Sequence, residues 1–374
     1  MASRPTRCSR SNKAHRAHPR IEASSVRALR LHPDGTLRLH EEPEPEPGPD
    51  DALVRITAVG LCGSDRHWLL ERSIGDAILT RPLVLGHEFG GVALSGRYQG
   101  RRVAVDPAAP CWACDLCATG RENLCLQVRF AGHGEIDGGL RELIAWPERS
   151  LYLLSDDLGE SVEGLIEPLA IAAHAIELGG PLADARVAVL GSGPIGLLIV
   201  ALARDEGAAR ILGIDPLPHR QDAAREFGAD ASQAGATDRD ISGYDVVFEA
   251  AGEQSAVDDA IQIAAPSATI VLVGIPGEDR TSFAASVARR KGLVLKLTRR
   301  STAATFARAV GLAEQRVIHL TALISQRLPL DAYEDGVRAL IDRSGIKVVV
   351  EPSTAPPGAG SAIADGAGAE VRSR

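Results

Sequence analysis

The sequence predicts an α/β protein in two parts: a β-rich unit interrupted by a doubly wound parallel sheet. Three observations lead there. Up to about residue 181 the apolar residues come in short runs separated by turn residues, the signature of β structure. From Ala185 strand-like and helix-like runs alternate, which calls for a parallel sheet with crossover helices. After about Thr321 the short-strand texture returns. At 374 residues the chain exceeds one ordinary core, so two domains are expected, one at 26–181 and 319–352 and the other at 182–318.

Taken in order, Val26–Leu39 alternates apolar and polar residues and reads as strand, and Glu41–Asp51 is a Pro/Glu-rich connector. Ala52–Val59 is a strand that runs into a loop at Cys62. Val103–Val105, Leu140–Ala145 and Leu151–Leu154 are short strands, and Ser161–Leu178 has helical period. The alternating region gives strands at Arg186–Leu190, Arg210–Asp215, Asp245–Glu249, Thr269–Val273 and Leu293–Leu297. Its helices are Pro194–Glu206, His219–Phe227 and Gln254–Ala264, followed by Thr305–Gln315. A helix at Leu330–Asp342 and a strand at Lys347–Glu351 close the pattern. Residues 1–25, whose first twenty carry six cations and no acid, and the Ala/Gly/Pro/Ser-rich residues 353–374 have little to bury and read as disordered tails.

Composition excludes several classes. A net charge of −8 argues against a general nucleic-acid binder. No apolar stretch is long enough to span a bilayer, so no membrane partner is expected. Six cysteines without an apolar leader suggest a reducing compartment, hence a cytoplasmic protein.

Four cysteines share one short loop. Cys111, Cys114, Cys117 and Cys125 read as C-x2-C-x2-C-x7-C, a set that closes four thiolates around a tetrahedral zinc ion. An iron–sulfur cluster and two disulfides are the competing readings; Leu126 stands where the ferredoxin run has proline. A closed four-thiolate site has no open position for substrate, so its task is to hold a loop. Downstream, Gly191-Ser-Gly193-Pro194-Ile195-Gly196 follows a strand and opens an apolar helix, the context a dinucleotide fingerprint requires. Gly191 permits the tight turn, Gly193 lets backbone approach a pyrophosphate, and Gly196 allows helix and strand to pack. Asp215, nineteen residues after Gly196, is placed to accept from a ribose 2′-hydroxyl, which favours NAD over NADP. Arg220 is the candidate for a 2′-phosphate should NADP bind instead.

The order of Gly-Leu-Cys62-Gly-Ser64-Asp65-Arg-His67, Gly86-His87-Glu88-Phe-Gly-Gly, the cysteine loop, Glu167-Pro-Leu-Ala and the glycine turn resembles the zinc-dependent medium-chain alcohol dehydrogenases. The resemblance covers roughly Val26 to Pro352. Gly120-Arg-Glu-Asn-Leu-Cys125, Val128-Arg-Phe and Leu165-Ile-Glu-Pro-Leu169 point to the sorbitol or polyol branch. It implies a GroES-like catalytic domain interrupted by a Rossmann domain, a small-molecule alcohol substrate, two zinc ions per chain and a homo-oligomer, a tetramer. Carried over by position, it makes Cys62 and His87 catalytic zinc ligands, with Glu88 or Glu167 as the third. Asp65 matches the carboxylate that orients the histidine, and Ser64 and His67 match the proton relay. A zinc ion with an open position is a Lewis acid that eases loss of an alcohol proton, while nicotinamide accepts the hydride. Two departures stand out: the segment between Gly91 and Val103 is short, and Thr298–Thr305 lacks the branch's Arg-Tyr segment, with Arg299 or Arg300 as a substitute. The rival readings are a threonine 3-dehydrogenase-like enzyme on amino alcohols and a catalytically silent cofactor binder.

Overall fold

The computed structural model describes residues 25–236, 242–277 and 280–353. The tails expected at 1–25 and 353–374 lie outside them, except that Ser25 opens a strand and the Ser353 hydroxyl donates to the Glu142 carbonyl.

The first part is built on two sheets. Strands Ser25–Leu31 and Leu37–Pro43 form a hairpin, and Leu83–Val84 adds a third strand to it. The proline-rich connector therefore starts later than the sequence suggests, because Glu41–Pro43 still pair with Arg27–Ser25. The second, seven-stranded sheet centres on Asp51–Gly60, which alternates inward-facing Ala52, Val54, Ile56 and Ala58 with less buried residues. Its neighbours are Glu88–Ala93 on one side and the C-terminal strand Lys347–Glu351 on the other. Strand Lys347–Glu351 thus returns to the sheet that Asp51–Gly60 founds. The short segment after Gly91 closes a tight connection: Ala93 and Arg101 pair, and Gly100 donates to the Ala93 carbonyl.

The second part is a six-stranded sheet in which every pairing is parallel. Its central strands are Arg186–Leu190 and Tyr244–Glu249. Arg210–Ile214 and Ala231–Gln233 lie outward on one side, Ala264–Leu272 and Val294–Leu297 on the other. Strand order reverses between the two central strands, and such a switch point is where ligands bind at the carboxyl ends. Helices Pro194–Asp205, Pro218–Glu226 and Gln254–Ile263 form the crossovers. Val187 and Val189 face one core and Ala188 and Leu190 the other, so both faces of the sheet are covered. One cluster of buried side chains runs from Leu165, Leu169 and Ile176 on helix Ile166–Gly179 to Phe306 and Ala309 on helix Ala303–Glu314. That cluster joins the two parts.

Candidate active site and metal centres

Three neighbouring strands and one helix bring the first group together. Glu88 starts its strand opposite Gly60, two residues before Cys62. Cys62 is the N-cap of helix Gly63–Glu71, an element the sequence reading left as loop. Its backbone N–H donates to Asp65 Oδ2 at 2.9 Å, so the acid that braces the helix start also lies beside the cluster. Ligand atoms of Cys62, His87 and Glu88 all fall within 4.8 Å of one another. Asp65 faces His87 Nδ1 at 3.7 Å, and Ser64 Oγ lies 3.3 Å from Nε2. Glu167, in the first turn of helix Ile166–Gly179, is buried nearby but is not a member of that trio.

Electrostatics favour a cation here. Asp65, Glu88 and Glu167 are all buried, and Glu88 Oε1 and Asp65 Oδ1 have no hydrogen-bond partner among the described residues. Burial pushes the Cys62 thiol up to about 12, with the Glu88 carboxylate adding to it. Burial likewise holds the Glu167 carboxyl well above the usual range, against the pull of His87. One ammonium offsets this: Lys347 Nζ lies 2.6 Å from Glu88 Oε2 and donates to the Leu61 carbonyl at 3.0 Å. A bound divalent ion would satisfy the orphaned Glu88 oxygen and stabilise the thiolate, so the donor set fits zinc. Lys347 was read only as the start of a strand. The one clue available was a lysine opening an otherwise apolar run in a chain with four lysines.

The four-cysteine loop forms the second group. Sγ separations are 3.5 Å for Cys114–Cys117 and 3.9 Å for both Cys111–Cys117 and Cys114–Cys125. A tetrahedron of Zn–S bonds about 2.3 Å long has edges of about 3.8 Å. A disulfide needs about 2.05 Å, and the five described cysteines are free. N–H groups of Ala113 and Cys114 draw the Cys111 thiol down to about 6. The loop also ties the two parts of the chain. Glu122 accepts from the Ala303 N–H at the start of helix Ala303–Glu314, Asn123 Nδ2 donates to the Arg299 carbonyl, and Arg300 donates back to the Asn123 carbonyl.

The glycine turn stands as expected. Gly191 has φ +94°, open to glycine at little cost, and a Cβ at Gly196 would run into the Gly191 carbonyl. Pro194 opens the helix and Ile195 follows it, with Gly193 as N-cap. Asp215 is buried and already bonded: Oδ2 accepts from Ser192 N–H at 2.9 Å and Oδ1 from Leu217 N–H at 3.0 Å. Each carboxylate oxygen keeps a second lone pair for a ribose hydroxyl. Arg220 Nη1 sits 3.9 Å from Asp215 Oδ2 and beside Gly193, where a cofactor phosphate would pass.

His67 is not in the trio. It is half-buried, Nδ1 3.0 Å from Glu71 Oε1, and its ring lies beside Gly277 of the second part. Sequence reasoning also gave no role to Phe130, whose ring centroid is 5.6 Å from that of His87.

Comparison with known proteins finds relatives over most of the chain. Residues 48–156 fit the model of the alcohol dehydrogenase GroES-like domain, and residues 194–315 that of the zinc-binding dehydrogenases. A probable D-xylulose reductase A of Aspergillus fumigatus is 31% identical over 334 residues, 84% of this chain and 93% of the relative. The sorbitol dehydrogenase of Gallus gallus is 31% identical over 341 residues, 87% and 96% of the two chains. Among solved structures, L-idonate 5-dehydrogenase from Escherichia coli superposes with a TM-score of 0.82 at 29% identity, over 88% of this chain and 98% of that one.

Proposed function

Because the chain belongs to the zinc-dependent medium-chain alcohol dehydrogenase family, near its sorbitol and polyol branch, we propose that it moves a hydride from a secondary alcohol of a polyol, sugar or cyclitol to NAD. The observation that carries this reading is the buried trio Cys62, His87 and Glu88, with its unpartnered carboxylate oxygen. Zinc bound by these residues would supply Lewis-acid polarisation of an alcohol oxygen, and the glycine turn would hold the nicotinamide cofactor that supplies the hydride acceptor.

The protein's own groups do the rest. Cys62 and His87 hold the ion with Glu88 as third ligand, and Glu167 is the alternative. Asp65 fixes the His87 ring through its Nδ1 side. Ser64 accepts the alcohol proton and His67, at the outer end of the path, delivers it to solvent. Asp215 reads the ribose diol, and Arg220, 3.9 Å from its carboxylate, is the group that would bind a 2′-phosphate should NADP enter instead. Cys111, Cys114, Cys117 and Cys125 hold a second zinc that fixes their loop, giving two per chain.

Domains at 26–181 with 319–352, and at 182–318, belong to the same reading. So do assembly into a homo-oligomer and a cytoplasmic location. The edge strand Val294–Leu297 supports assembly, because Val294 and Leu297 are 46% and 75% exposed on a strand paired along one side, to Ala264–Leu272. Free cysteines suit a reducing compartment. No helix of the described residues is long and apolar enough to cross a membrane.

The test is a panel of polyols, cyclitols, sugars and amino alcohols, followed by NADH absorbance on protein of measured zinc content. Turnover of polyols above amino alcohols is expected. Zinc-replete protein that oxidises none of them contradicts the reading, and a preference for amino alcohols redirects it.

A further inference from the structure

A cationic wall stands beyond His87, and hydride transfer makes no use of it. Arg299 and Arg300 follow the edge strand Val294–Leu297. Arg300 adopts the left-handed backbone region, φ +54°, a strained state for an L side chain that tends to mark function. Two reciprocal bonds hold the segment to the thiolate loop: Asn123 Nδ2 to the Arg299 carbonyl at 2.9 Å, and Arg300 Nη1 to the Asn123 carbonyl at 3.1 Å. The Arg300 guanidinium carbon then sits 5.2 Å from the centroid of Phe130, whose ring is 5.6 Å from that of His87.

The pair is short of negative charge. Arg27, Arg30, Arg102 and Arg308 each have carboxylate partners. Among the described residues Arg299 and Arg300 have none, and the only bond the Arg300 guanidinium donates is to a neutral carbonyl. Burial, then repulsion from Arg299, brings Arg300 down to about 10, against the pull of Cys125 and Asp106, neither of which bonds to it. His133, edge-on to Trp68 and Phe130, has its imidazole drawn below the usual histidine range by burial and by the same two arginines. A neutral polyol would leave this charge uncompensated. A planar guanidinium fork matches a carboxylate or a phosphate.

Resting on the dehydrogenase reading above, we propose that the substrate alcohol carries an anionic oxyacid group, which Arg300, backed by Arg299, binds at the end remote from the carbon that gives up hydride. Phe130 packs along the chain between the two ends. The arginines bind and orient; they exchange neither proton nor hydride.

The experiment uses the zinc-loaded full chain with NAD and three matched substrates: a neutral hexitol, its terminal phosphate and the corresponding aldonate. Higher kcat/KM for one anionic form than for the hexitol is expected, and which form wins identifies the group. Arg300→Met keeps the apolar stem and removes the charge. It should raise KM for the anionic substrate by about ten- to a hundredfold, as for a lost charged hydrogen bond, with kcat nearly held and a much smaller loss on the hexitol. Added salt should narrow the preference. A hexitol used at least as well as both anions overturns the proposal and leaves the dehydrogenase reading standing. Equal losses on all three substrates in Arg300→Met and Arg299→Met overturn it too, assigning the segment a structural role. No oxidation of any alcohol removes both readings. Should Arg300→Met fail to fold, the wild-type substrate ratio and Arg299→Met still decide.

Discussion

Lys347 is the residue on which the metal site most depends without being a ligand. Its ammonium and the Glu88 carboxylate are both nearly inaccessible, 2% and 1% exposed. Removing one member of a buried pair leaves an uncompensated charge and costs about 3–5 kcal/mol. Lys347→Met should lower the melting temperature strongly in chelated protein and much less in zinc-loaded protein, because a bound cation takes over the neutralisation of Glu88. Equal losses in the two states would show that the ion does not share this charge. At Asp215, substitution by Ser should weaken NAD relative to NADP by about 1–3 kcal/mol, the scale of a charged hydrogen bond, read as the ratio of the two kcat/KM values. Since Asp215 also braces the Ser192 and Leu217 backbone, some loss with both cofactors is expected. His67→Gln should lower kcat most at low pH, where solvent base is scarce, by a factor within the ~10²–10⁴ range of general acid–base effects or below it. A parallel pH–rate profile at full zinc occupancy would leave His67 as a helix residue bonded to Glu71.

At the scale of elements, the thiolate loop does more than fold upon itself. Glu122 and Asn123 lie inside it and reach across to Ala303 and Arg299 of the second part. Cys117→Ser should release one zinc per chain and free this contact, so substrate KM should rise while the NAD site, built on a different sheet, keeps its affinity. Unchanged KM after loss of the loop zinc would separate the loop from the substrate site. The helix after Cys62 shows what local reading overlooked. Gly63-Ser-Asp-Arg-His has weak helix propensity, and the Cys62 loop was the natural expectation. Asp65, bonded to the Cys62 N–H, and Trp68, buried against the core, supply the missing stability.

For the whole molecule, the arrangement predicts two chemically distinct metal sites. The trio site keeps an open position and the four-thiolate site is closed. A mild chelator should remove the first ion and abolish turnover while the fold persists, and harsher conditions should be needed for the second. Metal analysis giving one zinc or none in fresh, active protein contradicts this. Helices Ile166–Gly179 and Ala303–Glu314 pack in one buried cluster, and the thiolate loop bonds to Ala303 and Arg299, so both contacts fix how the two parts meet.

The sequence by itself determined the parallel sheet, because a run such as Arg186-Val-Ala-Val-Leu190 followed by a glycine turn and an apolar helix has one low-energy reading. It determined the thiolate loop as well, since all four cysteines lie within fifteen residues and need no distant partner. Tertiary structure decided what spacing cannot encode. Lys347 and Glu88 are 259 residues apart and meet only because Lys347–Glu351 pairs with Asp51–Gly60, which pairs with Glu88–Ala93. Arg300 reaches Phe130 only through a clamp across 177 residues of chain. Periodicity reports which face of an element is buried; it carries no information about which buried charge from elsewhere in the chain will stand opposite it.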